Sequence, residues 1–109
     1  MFELFQNKKS KKFHWNLKAR NGQVILTSQG YSSKKGAENG IESVRKNCKD
    51  EKCFDMLTAK DGRTYFNLKS GNGQVIGKSQ MYKSTSGCRN GIKSVSTNAP
   101  TATINDMTA

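Results

Sequence analysis

Asn21-Gly22-Gln23-Val24-Ile25 and Asn72-Gly73-Gln74-Val75-Ile76 spell the same five letters, NGQVI, 51 positions apart. Sliding the chain by 51 extends the match to residues 14–47 against 65–98, with 19 identities in 34 aligned positions and no gap. Upstream, Phe2-Glu3-Leu4 answers to Phe54-Asp55-Met56 once the second copy's turn is made one residue shorter. A match of this length at a fixed offset is an internal duplication.

Each copy names its elements in the same order. Phe13, Trp15 and Leu17 alternate with His14, Asn16 and Lys18, the period of a half-buried strand. Asn-Gly then predicts a two-residue type I′ turn, with both residues at positive φ. Pairing across that turn sets Ala19 against Val24, Leu17 against Leu26 and Trp15 against Ser28. In copy two the pairs are Ser70 with Val75, Leu68 with Gly77 and Phe66 with Ser79. After the hairpin the period becomes helical. Ala37, Ile41, Val44 and Cys48 form one stripe, and Cys88, Ile92, Val95 and Ala99 repeat it. Ser33 and Ser84 stand at N-cap positions, Tyr31 and Tyr82 precede them as staples, and Pro100 stops the second helix. Gly40 and Gly91 sit inside the stripe, where glycine costs about 1 kcal/mol relative to alanine; their recurrence predicts close packing of helix backbone on the sheet.

One copy therefore reads β-β-β-α, starting from a short strand near Phe2–Phe5 or Phe54–Leu57. Half of a 109-residue chain is too short to bury a good core alone. The expectation is one α+β domain over residues 1–109, with repeat 1 at 1–50, repeat 2 at 51–109 and the helices on one sheet face. The tail at 102–106 has β character and is expected to add an edge strand.

The pattern NLKAxNGQVI…SQxYxS…NGIxSVxxN, present twice, resembles the YegP-like family of small bacterial proteins across nearly the whole chain. The resemblance implies two β-β-β-α-β units forming one continuous antiparallel sheet as a pseudo-dimer, with terminal strands exchanged. The segment 54–59 then serves both halves and the tail 102–106 returns to the first. Single-copy relatives would reach the same shape as homodimers. The family has no established activity, so the resemblance implies no catalytic residues.

Catalytic constellations are scarce. His14 is the sole histidine and copy two has Tyr65 in its place, so no nucleophile–base pair is in view. Cys48 and Cys53, with no histidine near, do not make a zinc pattern, and Cys48 and Cys88 read as small buried residues of the helical stripes. No metal, cofactor or catalytic site is expected. The glycines of Ser70–Gly77 do not make a phosphate loop, because a strand follows where a helix N-terminus is needed. No apolar run reaches membrane-spanning length. Three cysteines, an odd number, and an N-terminus unlike an export signal predict a cytoplasmic protein with free thiols. A monomer is expected, as an internal pseudo-dimer.

Charge is the remaining signal. Lys and Arg number 19 against 8 acidic residues, a formal net charge of +11. Residues 1–55 carry 12 basic and 6 acidic residues, and 56–109 carry 7 and 2, so the excess belongs to the whole surface. Two candidate binding regions follow. With the helices covering one face, the open face carries His14, Asn16, Lys18, Ile25 and Thr27, then Tyr65, Asn67, Lys69, Ile76 and Lys78. Basic, amide and aromatic groups on an open sheet make a platform for single-stranded nucleic acid. The second region is the basic first turn, Lys8, Lys9, Lys11 and Lys12. The expected function is a non-catalytic binding or interaction module whose partner is nucleic acid or another protein. An enzyme with a polar site between the repeats is the reading from another class.

Overall fold

The alternating stretches become strands and the 3.6-period stretches become helices. The computed structural model describes residues 1–108 in the order β1 (Phe2–Gln6), β2 (Phe13–Lys18), β3 (Val24–Thr27), α1 (Lys34–Asn47), β4 (Phe54–Thr58), β5 (Thr64–Lys69), β6 (Val75–Lys78), α2 (Thr85–Asn98) and β7 (Ile104–Asp106). All seven strands join one sheet, β4-β5-β6-β3-β2-β1-β7, whose first six positions mirror each other about the β6–β3 junction. The architecture is α+β with pseudo-twofold symmetry, and β7 alone has no mate at the opposite edge.

The hairpin turns differ from the two-residue turn read from Asn-Gly. Only Gly22 has positive φ, +84°, and Asn21 does not. Ala19 O accepts the Gly22 N–H at 3.0 Å, and the Ala19 N–H reaches Gln23 O at 2.9 Å. Arg20-Asn21-Gly22 is thus a three-residue loop, a tight turn closed by a left-handed glycine. Asn21 Oδ1 accepts the Gln23 N–H at 3.0 Å, so its side chain mimics a turn and Asn21 needs no unusual φ itself. The extra residue slips the register between Leu17 and Lys18, so Val24 faces Lys18 and not Ala19, while Leu17 still faces Leu26. Copy two repeats the device, with Gly73 at +87° and Val75 facing Lys69 in place of Ser70. Past that slip, simple alternation fails. Ile25 and Ile76, assigned above to the open face, are only 4% and 8% exposed and belong to the hydrophobic cluster.

Both helices start where read. Ser33 Oγ accepts the Gly36 N–H and Ser84 Oγ the Gly87 N–H, each at 3.0 Å. Gly40 and Gly91 make room for a side chain and not for strand backbone. A Cβ on Gly40 would lie 2.8 Å from Tyr31 Cζ and 3.0 Å from Trp15 Nε1; on Gly91 it would lie 2.6 Å from Tyr82 Cζ and 3.1 Å from Phe66 Cε1. Each tyrosine is pinned to the sheet by a backbone bridge, Tyr31 to Phe13 and Tyr82 to Thr64. The core is common to both copies. α1 packs on β2 and also on β5 and β6, while α2 packs on β5 and β3.

At the pseudo-axis, residues 51 apart meet each other. Thr27 pairs with Lys78. Leu26, fully buried, fills the space beside Gly77, where a Cβ would come within 2.7 Å of Leu26 Cγ.

The terminal strands are exchanged as the resemblance implied. The strand following α1 lies beside β5 of copy two, and the strand following α2 lies beside β1 of copy one. One expectation is corrected: the sheet is mixed, because β7 runs parallel to β1. In the repeat, β4 is the counterpart of both β1 and β7, being the first strand of one unit and the strand after the helix of the other. Two counterparts of one strand at one edge run the same way. Phe2 N–H to Thr103 O and Met107 N–H to Leu4 O, both 2.8 Å, tie β7 down, with Arg45 Nη2 to Ala102 O at 2.6 Å and a Lys34–Asp106 ion pair.

Candidate binding surfaces

The open face is built by residues that alternate with the core-facing Trp15, Leu17, Phe66 and Leu68. Register places Asp55, Asn67, Lys78, Thr27, Asn16 and Glu3 in one row across six strands. The cations of this face have partners. Lys18 Nζ lies 3.0 Å from the Glu3 carboxylate and Lys69 Nζ 2.7 Å from that of Asp55. Lys78 Nζ stands 4.8 Å above the Tyr65 ring and so occupies the aromatic plane read above as a stacking surface. His14 is half-buried and stacks on Phe5 with centroids 5.6 Å apart. A shallow cavity of about 370 Å³ near the axis is lined by Thr27, Asn67, Ile76 and Lys78 among others. The two carboxylates were not legible in the sequence, because Glu3 and Asp55 lie on strands whose register follows only from the folded sheet.

The first turn is different. Its backbone is held from within: Asn7 N–H bonds Lys12 O at 2.9 Å, Lys11 N–H bonds Asn7 O at 2.8 Å, and Asn7 Oδ1 accepts from Lys9 N at 2.8 Å and Ser10 N at 3.1 Å. Lys8, Lys9, Lys11 and Lys12 are all exposed, and none takes part in an ion pair among the described residues. Lys11 has φ +62°, the one non-glycine residue with positive φ among those described. Its counterpart 51 residues on is Gly62, at φ +87°. A side chain in this region costs about 1–2 kcal/mol, so the turn keeps a lysine where glycine would fold more easily. The corresponding turn of copy two is less basic: of its two cations, Lys60 and Arg63, the second is paired, Arg63 Nε donating to Asp61 at 2.7 Å.

Two of the three thiols are placed as helix-stripe residues, while Cys53 lies half-buried just ahead of β4. Cys48 and Cys88 are buried, and that burial pushes both thiols above their ordinary range. They are held away from the thiolate form that nucleophiles and metal ligands need. Among the described residues no helix is long and apolar enough to cross a membrane.

A third surface was not anticipated. Between β4 and α2 lies an open groove of about 720 Å³, floored by Phe54, Met56 and Ile92 and flanked by Lys49, Arg89 and Lys93. The signal for it was in the aligned copies, where Glu38 and Glu42 of α1 become Arg89 and Lys93 of α2.

Comparison with known proteins gives a consistent result. Residues 8–55 and 59–106 each match the family model described as a domain of unknown function, DUF1508. The UPF0339 protein of Bordetella pertussis is 51% identical over 96 residues, 88% of this chain and 86% of that protein. The UPF0339 protein YegP of Escherichia coli O157:H7 is 47% identical over 107 residues, 98% of this chain and 96% of that protein. The solution NMR structure of a UPF0339 protein from Shewanella oneidensis superposes with a TM-score of 0.92 at 50% identity, covering 98% of this chain and 90% of that one. The solution NMR structure of the E. coli protein of unknown function yegP gives 0.93 at 45% identity, covering 99% and 92%.

Proposed function

We propose that this chain, which belongs to the DUF1508 family, is a small non-catalytic binding module that takes a polyanion, nucleic acid foremost, at the basic turn between β1 and β2. The observation that carries the reading is Lys11. A positive-φ position filled by glycine in the other copy is given to a lysine, within a cluster of four exposed cations that have no carboxylate partner among the described residues. Strain retained at a surface position is a pointer to use. The open face supports the reading less well, since Lys18 and Lys69 are already paired with Glu3 and Asp55. The non-catalytic part rests on where the reactive groups sit: His14 against an aromatic ring, Cys48 and Cys88 in the core, and Cys53 half-buried beside the Asn47 amide.

The test is a titration with a single-stranded oligonucleotide at several salt concentrations. Affinity is expected to fall with salt with a slope of about −0.7 per phosphate contacted. Replacing Lys8, Lys9 and Lys12 with Gln should weaken binding and make the slope shallower, while Lys18→Gln with Lys69→Gln changes little. Lys11→Gly is the sharper variant, expected to leave the fold no less stable while lowering affinity. Absence of binding near physiological salt, or turn variants that bind like the parent, would overturn the reading and turn attention to a protein partner.

A further inference from the structure

The two edges of the sheet are unequal, residue by residue. On the edge where β7 pairs with β1, Phe2, Leu4 and Ile41 are fully buried. Their counterparts on the other edge are not: Phe54 and Ile92 are half-buried, Met56 is 38% exposed, and the three floor the groove between β4 and α2. Backbone groups there are also without partners among the described residues. The Ala59 N–H bonds Arg63 O of the hairpin at 2.7 Å, so by strand alternation Met56 and Thr58 aim their N–H and C=O groups away from β5, where the sheet ends. An open edge with an apolar floor beside it is the geometry that strand addition uses.

We propose that the groove between β4 and α2 is a docking site for an extended acidic segment of a partner protein, which adds as a further strand along β4. The chain's own β7 supplies the template, seated on the equivalent edge as a short parallel strand. Charge selects the occupant. Where α1 presents Glu38 and Glu42, α2 presents Arg89 and Lys93, and Lys49 adds a third cation against the single Glu51. A second copy is a poor occupant, because pairing β4 with β4 would bring two cationic grooves and two chains of net charge +11 together. This site is separate from the basic turn and stands or falls independently of it.

The probe is a synthetic peptide copying residues 99–108 with Thr101→Glu and Thr108→Glu, titrated into the intact protein and followed by backbone amide NMR. The Met56 and Thr58 amides are expected to shift and to exchange more slowly with solvent. Arg89→Glu with Lys93→Glu should weaken binding on the order of tenfold. Both side chains are exposed, so an otherwise unchanged spectrum confirms that variant's fold. A peptide carrying Lys at positions 101, 106 and 108 should not bind. Shifts centred on β1 and β7, no change at β4, or β4 shifts that grow with protein concentration without peptide would each overturn the proposal.

Discussion

Gly77 shows how much a single missing side chain decides. Leu26 occupies the volume beside it, with Cγ, Cδ2 and Cδ1 at 2.7, 2.8 and 3.0 Å from where a Cβ would stand, so a fully buried side chain would have to shift. Gly77→Ala is expected to cost about 1–3 kcal/mol by overpacking, read from urea unfolding. Leu26→Ala should cost about 2–5 kcal/mol, and the double variant should cost less than the sum, because each change makes room for the other. An additive cycle would show that the two do not share that space. The buried thiols make a second residue-level prediction. Their raised pKa means that the folded chain holds the protons longer than the unfolded chain does. Their contribution to stability is therefore complete below the ordinary value of 9.0 and falls as pH rises beyond it. Replacing Cys48 and Cys88 with Ala should flatten that alkaline decline, measured as unfolding midpoint against pH.

Among the elements, β7 is the least secured. It is three exposed residues long, and its side-chain anchor is the Lys34–Asp106 pair. That pair, with the Thr108 hydroxyl, holds the Asp106 carboxyl down at about 2 against an ordinary 3.8. A depressed carboxylate contributes above its unfolded value and loses that contribution as pH falls through the folded one. Protection of the Met107 amide, taken relative to the intrinsic exchange rate at each pH, is therefore expected to fall between about pH 4 and pH 2 before that of the core strands, and Asp106→Asn should show the loosening already at neutral pH. Protection that falls only together with that of β2 and β5 would contradict this. The strands and helices themselves were legible because alternation and the apolar stripes are written twice, one copy checking the other. The turn type was not, since Asn-Gly fits a two-residue turn as well as a three-residue one, and Asn21's hydrogen bond to Gln23 settles the matter. Candidate surfaces followed the same divide. Lysines on outward strand positions were visible, but their pairing with Glu3 and Asp55 needs the β1–β2 and β4–β5 registers, which no local pattern encodes.

At the scale of the molecule, neither copy has a core of its own. The apolar stripe of α1 is covered by strands of both copies, and so is that of α2. Residues 1–50 or 51–109 expressed alone should lack a cooperative unfolding transition at micromolar concentration, and mixing the two should restore the circular dichroism of the intact chain; a half that folds alone as a monomer would refute this. The junction between the copies has one more consequence. An assembly of two identical chains must set every residue on its twofold axis against its own image: leucine against leucine, lysine against lysine. Here Leu26 lies against Gly77, and Thr27, whose hydroxyl donates to Lys78 O at 3.3 Å, lies against Lys78. Lysine at both places would set like charges opposite each other, an unfavourable pairing, and leucine at both would overfill the space that one now occupies. Covalent fusion lifts that restriction: with the two halves on one chain, the axis accepts complementary pairs that no self-associating repeat can reach by any single substitution.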